Sequence, residues 1–131
     1  MIVLPLRCVI TALVVSSGAY AAGLPVASLT RSTAVDYATE VVPFLKANCT
    51  ACHNKTTTKG GLNMETPALM LEGGDSGPAI VPGKASDSLL FESATHLADS
   101  EMPPKGNKVG AVNLSPDELA LLKQWIDQGA K

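Results

Sequence analysis

Aromatic residues are scarce in this sequence, at 4% of 131 residues, and only four of them lie beyond residue 21. These four, Tyr37, Phe44, Phe91 and Trp125, are too few to fill the core of a domain of about 110 residues. Excess positive charge is also lacking, because ten Lys and Arg stand against twelve Asp and Glu. The balance argues against nucleic acid as a partner. We therefore expect one small domain whose polypeptide core is thin.

No apolar run is long enough to cross a membrane comfortably. The apolar residues 9–15 follow Arg7 and precede small residues that end at Ala21. This order of a positive charge, a short apolar run and small residues is typical of a secretory signal peptide. We predict a signal peptide over 1–21, cleaved after Ala21, and a mature protein in the periplasm or otherwise outside the cytoplasm. A signal that is kept as an anchor is the alternative.

Cysteine and histidine are rare as well, with three Cys and two His in the sequence. Cys8 leaves with the signal peptide, and the other two cysteines lie together in Cys49-Thr50-Ala51-Cys52-His53. This spacing is the attachment signature of a c-type haem. Residues three apart on a helix share a face, so both thiols can reach one edge of a porphyrin. We predict Cys49 and Cys52 as the attachment sites of one haem and His53 as an iron ligand.

Two other kinds of site could use the same cysteines. A thioredoxin-like redox pair follows a strand, whereas the residues before Cys49 have helical spacing. A zinc site needs four N or S ligands, and only His96 remains as the fourth. The adjacent Cys52 and His53 would also strain a single tetrahedron. The sequence therefore favours the haem over both.

A low-spin haem needs a second axial ligand, and Met102 is the residue that best provides it. Pro103 and Pro104 stiffen the loop that follows, so that a thioether is presented toward a metal rather than buried on a helix face. A methionine ligand raises the reduction potential. His96 is the alternative ligand, and an open sixth position is the third possibility.

Helical periodicity predicts four helices, at 34–46, 66–71, 86–97 and 115–128, and no strand. The last begins most clearly, because Ser115, Pro116 and Glu118 form a capping-box pattern. We expect the first and last helices to cross, with Phe44 against Trp125. The apolar residues predicted for the third helix are Leu89, Leu90, Phe91, Ala94 and Leu97. Residues 22–33 are interpreted as a flexible leader and residues 34–131 as the domain.

Several blocks of the sequence follow one another in a recognisable order: 48–53, Lys59-Gly60-Gly61-Leu62, 73–83, Ser88-Leu89-Leu90, Met102-Pro103-Pro104-Lys105 and 114–126. Together they resemble the planctomycete-type cytochrome c domain, a small monohaem module. The resemblance implies an all-α cytochrome c fold of about four helices around one covalently attached haem. It also implies attachment through Cys49 and Cys52 and axial ligation by His53 and Met102.

Together these features predict an exported monohaem c-type cytochrome that carries single electrons and is not an enzyme. Its partners would be redox proteins that dock at an exposed haem edge, without nucleic acid and without a membrane span in the mature chain. A positive rim for docking is predicted at Lys55, Lys59, Lys105 and Lys108. Two alternatives stay open: a haem enzyme or gas- or peroxide-reactive sensor with a displaceable sixth ligand, and a haem-bearing subunit of a larger exported complex.

Overall fold

The structure, a computed structural model, describes residues 22–131. The predicted signal peptide and Cys8 lie outside the described residues. Within 22–131 the chain forms four α-helices and no β-strand, in agreement with the predicted all-α class. The helices are α1 (Val42–Asn48), α2 (Pro67–Glu72), α3 (Leu89–Ala94) and α4 (Pro116–Asp127). None of the helices in this part of the chain has the length and apolar content that a membrane crossing requires.

Helix α4 begins at the capping box that the sequence predicts. The hydroxyl of Ser115 accepts a hydrogen bond from the Glu118 amide at 3.3 Å, and the Glu118 carboxylate accepts one from the Ser115 amide at 2.8 Å. Such a cap contributes about 1 kcal/mol to helix stability. The inner side of the helix is buried at Leu119, Leu122, Trp125 and Ile126.

The predicted first helix consists of two parts. A π-helical turn, Tyr37–Val41, leads into α1, and Pro43 stands in the first turn of α1. A proline is tolerated there because its missing N–H would have no partner within the helix. The ring that stacks on Trp125 is that of Tyr37, with ring centroids 4.9 Å apart, whereas the sequence favoured Phe44. Phe44 is buried in the same core.

Helix α3 is shorter than predicted. A 3₁₀ turn, Ala85–Asp87, precedes it, and the helix ends at Ala94 instead of residue 97. His96 has a positive φ of 61°, so the chain turns away from the helix before Leu97. Leu97, which the sequence assigned to the apolar set of this helix, therefore lies beyond its end and is 62% exposed. Leu90, Phe91 and Ala94 are buried as predicted.

Residues 22–33, predicted as a leader, contain no helix but are hydrogen-bonded to the ends of α3 and to α4. The bonds run from Leu24 N to Thr95 O (2.7 Å), from Ala27 N to Pro116 O (3.0 Å) and from Gln124 Nε2 to Arg31 O (3.1 Å). Arg31 also donates two hydrogen bonds to Glu40, which hold the pKa of that carboxyl down at about 2. The boundary between leader and domain near residue 34 stays a prediction.

Candidate functional site

One cavity of about 1130 Å³ is bordered by all four residues that the sequence predicts to hold a haem. These are the attachment residues Cys49 and Cys52 and the iron ligands His53 and Met102. Pockets for small molecules and cofactors usually measure about 300–1,000 Å³, so this cavity is large for a chain of this size. Most of its remaining wall is apolar, as cofactor sites require. The apolar residues that line it include Leu45, Leu62, Met64, Ala79, Leu89, Leu90, Ala94, Leu114 and Leu122.

The two cysteines and the histidine lie in a tight turn that continues from the end of α1. The Cys49 amide donates to the Leu45 carbonyl at 2.8 Å, as a further helical residue would. The Cys49 carbonyl then accepts hydrogen bonds from the amides of Cys52 and His53, both at 3.1 Å. These bonds fold the five-residue segment into a single turn, so both thiols and the imidazole face the same cavity.

The imidazole of His53 is poised as a neutral ligand. Burial lowers the pKa of His53, and the carbonyl groups of Lys59 and Leu62 partly oppose this shift. Neither carbonyl reaches hydrogen-bond geometry, and within residues 22–131 the buried Nδ1 has no partner. A buried polar nitrogen without a partner is costly. The neutral imidazole that burial favours is the form that binds metals.

The environment of Cys49 argues against a redox-active cysteine pair. Burial raises the pKa of the Cys49 thiol to about 12, with smaller contributions from Cys52 and Glu118. A thioredoxin-like nucleophile needs the opposite shift, toward the thiolate. The zinc alternative has no support either, because His96, its proposed fourth ligand, does not border the cavity. Among the described residues, no group of three or more His, Cys, Asp or Glu could hold a metal ion.

Met102 borders the cavity, whereas the alternative ligand His96 does not. The Met102 side chain is 36% exposed at the edge of the cavity, and its amide donates to the Ser93 carbonyl at 3.0 Å. His96 lies outside the cavity lining, and its Nδ1 is 3.8 Å from Oε2 of Glu101. The structure therefore brings the methionine, rather than the second histidine, into the same space as His53.

Two glycine-rich turns pack against each other at another part of the cavity wall. The Asp75 amide donates to the Gly60 carbonyl at 2.8 Å, and a Cβ added to Gly74 would collide with that carbonyl. Gly60, Gly74 and Gly77 all border the cavity. Two consecutive glycines at Gly60 and Gly61 are typical of a turn, but nothing in the sequence shows that the second turn is its neighbour.

The sequence did not show which apolar residues line the cavity. Helical periodicity marks Leu122 as buried, and Leu114 and Ala79 are small or apolar residues in loops. Periodicity states that a side chain is buried, but not whether it faces another helix or a cavity. Only the packing of α1, α3 and α4 distinguishes the two.

A thiol pair and an imidazole in one turn, with a methionine that borders the same mostly apolar cavity, are the features of a small c-type cytochrome domain, and the donor set fits a covalently attached haem. Comparison with protein families agrees, since residues 49–106 match the model of the family described as Planctomycete cytochrome C. The match supports a planctomycete-type cytochrome c domain in this part of the chain. This match suggests a haem-binding electron carrier rather than a catalyst. Comparisons with curated proteins and with solved structures found no match.

Proposed function

We propose that this protein is an exported monohaem c-type cytochrome that carries single electrons between redox proteins. One observation carries the proposal: the segment that holds Cys49, Cys52 and His53 borders the same mostly apolar cavity as Met102, which lies far along the chain. Export is proposed from the signal-peptide pattern at 1–21, because c-type haem is attached outside the cytoplasm in bacteria. Residues 34–131 are proposed as the cytochrome domain.

Each of the four residues has a separate role in this proposal. Cys49 and Cys52 would hold the haem through thioether bonds, and His53 and Met102 would be its two axial ligands. A bound haem would supply reversible one-electron chemistry at its iron. The apolar walls exclude water, and the tight turn 49–53 fixes both thiols and the imidazole on one side. Since no substrate bond is broken, the protein needs no general acid or base.

We expect the Met102→Ala variant to lose the absorption band that arises from a methionine bond to ferric haem. The reduction potential should fall as well, because a thioether favours the reduced iron. A potential that drops by about 100 mV or more would be within the range over which axial ligands act. The measurement is a visible spectrum in both oxidation states, followed by a redox titration.

Met70→Leu is the matched control for this experiment. Met70 is fully buried and does not border the cavity, so a leucine of similar volume should leave the spectrum unchanged. If Met102→Ala leaves the ferric spectrum as it was, and the ferrous wild-type protein binds carbon monoxide readily, the proposed axial ligation is wrong. In that case the haem enzyme or sensor with an open sixth site becomes the better interpretation.

The mouth of the cavity carries a positive rim, as expected for docking to an acidic redox partner. Lys59, Lys105 and Lys108 are exposed and border the cavity, although the chain as a whole is acidic. Lys55 was predicted to belong to the same rim, but it lines a separate cleft of about 520 Å³. The exposed Leu97 and Val109 lie among the cavity residues and add apolar contact area. We propose this rim, without Lys55, as the docking surface.

Changing Lys59, Lys105 and Lys108 together to glutamine should slow electron transfer to an acidic partner about tenfold at low salt, because steering by opposite charges is lost. The difference should shrink at high salt, where charges are screened. Stopped-flow kinetics with the native partner measures both effects. A triple glutamine variant at Lys84, Lys123 and Lys131 removes the same charge away from the cavity and should keep the wild-type rate. Equal rates for the two triple variants would contradict the docking surface.

A further inference from the structure

The turn at the end of α3 has a backbone conformation that favours glycine, yet the residue there is His96. The His96 amide donates to the Ser93 carbonyl at 3.2 Å, and the Leu97 amide donates to the Glu92 carbonyl at 2.8 Å. These two bonds form a Schellman motif, in which the residue after the helix cap is left-handed. His96 has this conformation, with φ of 61°. Glycine adopts it freely, whereas most residues with a Cβ adopt it at a cost and asparagine is among the exceptions.

The side chain of His96 is held beside the loop that carries Met102. Only 13% of the side chain is exposed, and Nδ1 lies 3.8 Å from Oε2 of Glu101, the residue before Met102. The same carboxylate oxygen lies 3.8 Å from Nζ of Lys105. Nε2 of His96 is buried, and in the described part of the chain it has no hydrogen-bond partner. A histidine that merely ended a helix would face water instead.

The backbone links His96 to Met102 by a second route. The Ser93 carbonyl accepts hydrogen bonds from both amides, at 3.2 Å from His96 and 3.0 Å from Met102. Any change in the turn at His96 therefore alters the acceptor that fixes the backbone of Met102. The side chain of His96 contacts Glu101, which precedes Met102, and its main chain shares the Ser93 acceptor with Met102. Both contacts therefore bear on the position of Met102.

We propose that His96 is a positioning residue for Met102, retained in a strained turn because its imidazole supports the Met102 loop. The inference rests on the proposed function, in which Met102 is an axial ligand. A left-handed residue that is not glycine suggests a role for its side chain, and at His96 the buried imidazole beside Glu101 identifies what that role would be. Because His96 does not border the cavity, this role is to hold the loop rather than to bind the iron.

The test replaces His96 by glycine and by asparagine, two residues that adopt left-handed backbone with little strain and lack the imidazole. If His96 positions Met102, both variants keep their thermal midpoint or gain stability, while the methionine-to-ferric absorption band weakens. The affinity of the ferric protein for azide, a small ligand that competes with Met102, should rise about three- to tenfold, the factor set by loss of one modest polar contact. If the turn at His96 were purely structural, the variants would gain stability, but the methionine-to-ferric band and the azide affinity would stay as in the wild type.

Ala130→Gly is the matched control, because Ala130 is also a non-glycine residue with positive φ, at 55°, and does not border the cavity. It should keep the wild-type band and azide affinity. If both His96 variants also keep them, the positioning role is wrong. Failure of the proposed function is distinguishable: the wild type would then lack the methionine band, and Met102→Ala would leave its spectrum unchanged. A spectrum that is lost in His96→Gly but kept in Met102→Ala would make His96 the ligand and overturn both.

Discussion

A variant in which Cys49 and Cys52 are both alanine should contain no covalently attached haem. The two thiols border the same cavity and lie in one turn closed by hydrogen bonds to the Cys49 carbonyl, and residues 22–131 contain no other cysteine. The measurement is a haem stain after denaturing electrophoresis, with a haemochrome assay of the purified protein. We expect the stain to disappear, and the amount of folded protein to fall as well, because a cavity of about 1130 Å³ would lose its occupant.

The chain provides its own control for this experiment. Cys8→Ala changes the one remaining cysteine, which lies within the predicted signal peptide, and should leave haem content and yield unchanged. Single variants at Cys49 or Cys52 should retain at most one thioether and show a shifted haemochrome maximum. Covalent haem that persists in the double variant would refute attachment through this turn.

Trp125→Ala should have the largest effect on stability among the packing residues. Trp125 is only 1% exposed, its ring stacks on Tyr37, and its Nε1 donates to the Lys131 carbonyl at 3.0 Å. Substitutions of a buried Trp by Ala cost about 3–5 kcal/mol, against a typical total stability of about 5–15 kcal/mol. The free energy of unfolding, measured by denaturant titration of the haem-loaded protein, should fall by that amount.

Two milder variants separate the contributions at this position. Tyr37→Phe keeps the stacked ring and should change the free energy of unfolding by less than about 1 kcal/mol. Trp125→Phe keeps an aromatic ring but removes the hydrogen bond to Lys131 and should cost about 1–3 kcal/mol. A loss of less than about 1 kcal/mol in Trp125→Ala would show that the contact between the π-helical turn and α4 is not a main part of the core.

The parts of the fold that were predictable from sequence are those with local signals. Helix α4 was predictable because Ser115, Pro116 and Glu118 lie next to one another and define its start without any tertiary contact. The end of α3 was not predictable. A glycine after a helix signals its end in the sequence, whereas a histidine in the same left-handed conformation does not. The stacking of Tyr37 instead of Phe44 on Trp125 follows from the π-helical turn, whose wider spacing alters which side chains face α4.

In the candidate site, too, the features with local sequence signals were predictable and those that depend on packing were not. The segment from Cys49 to His53 was recognisable as a haem-attachment motif because its functional residues are adjacent in the sequence. The family match begins at its first residue. The choice between Met102 and His96 depended on which of them borders the cavity, and that is a property of the packing. The lysine rim was predicted from charge alone, and Lys55 was misplaced because charge carries no information on which cleft a side chain lines.

The carbonyl of Ser93 is shared by the amides of His96 and Met102, so under the proposed ligation a release of the methionine that moves its backbone would be a local unfolding event. The Met102 backbone cannot leave its place without breaking a bond to the last turn of α3, and the same movement loosens the turn that ends that helix. The loop and the helix end therefore open and close as one cooperative unit. Exchange of the sixth ligand would then follow the opening rate of this unit rather than the intrinsic strength of a bond to a thioether.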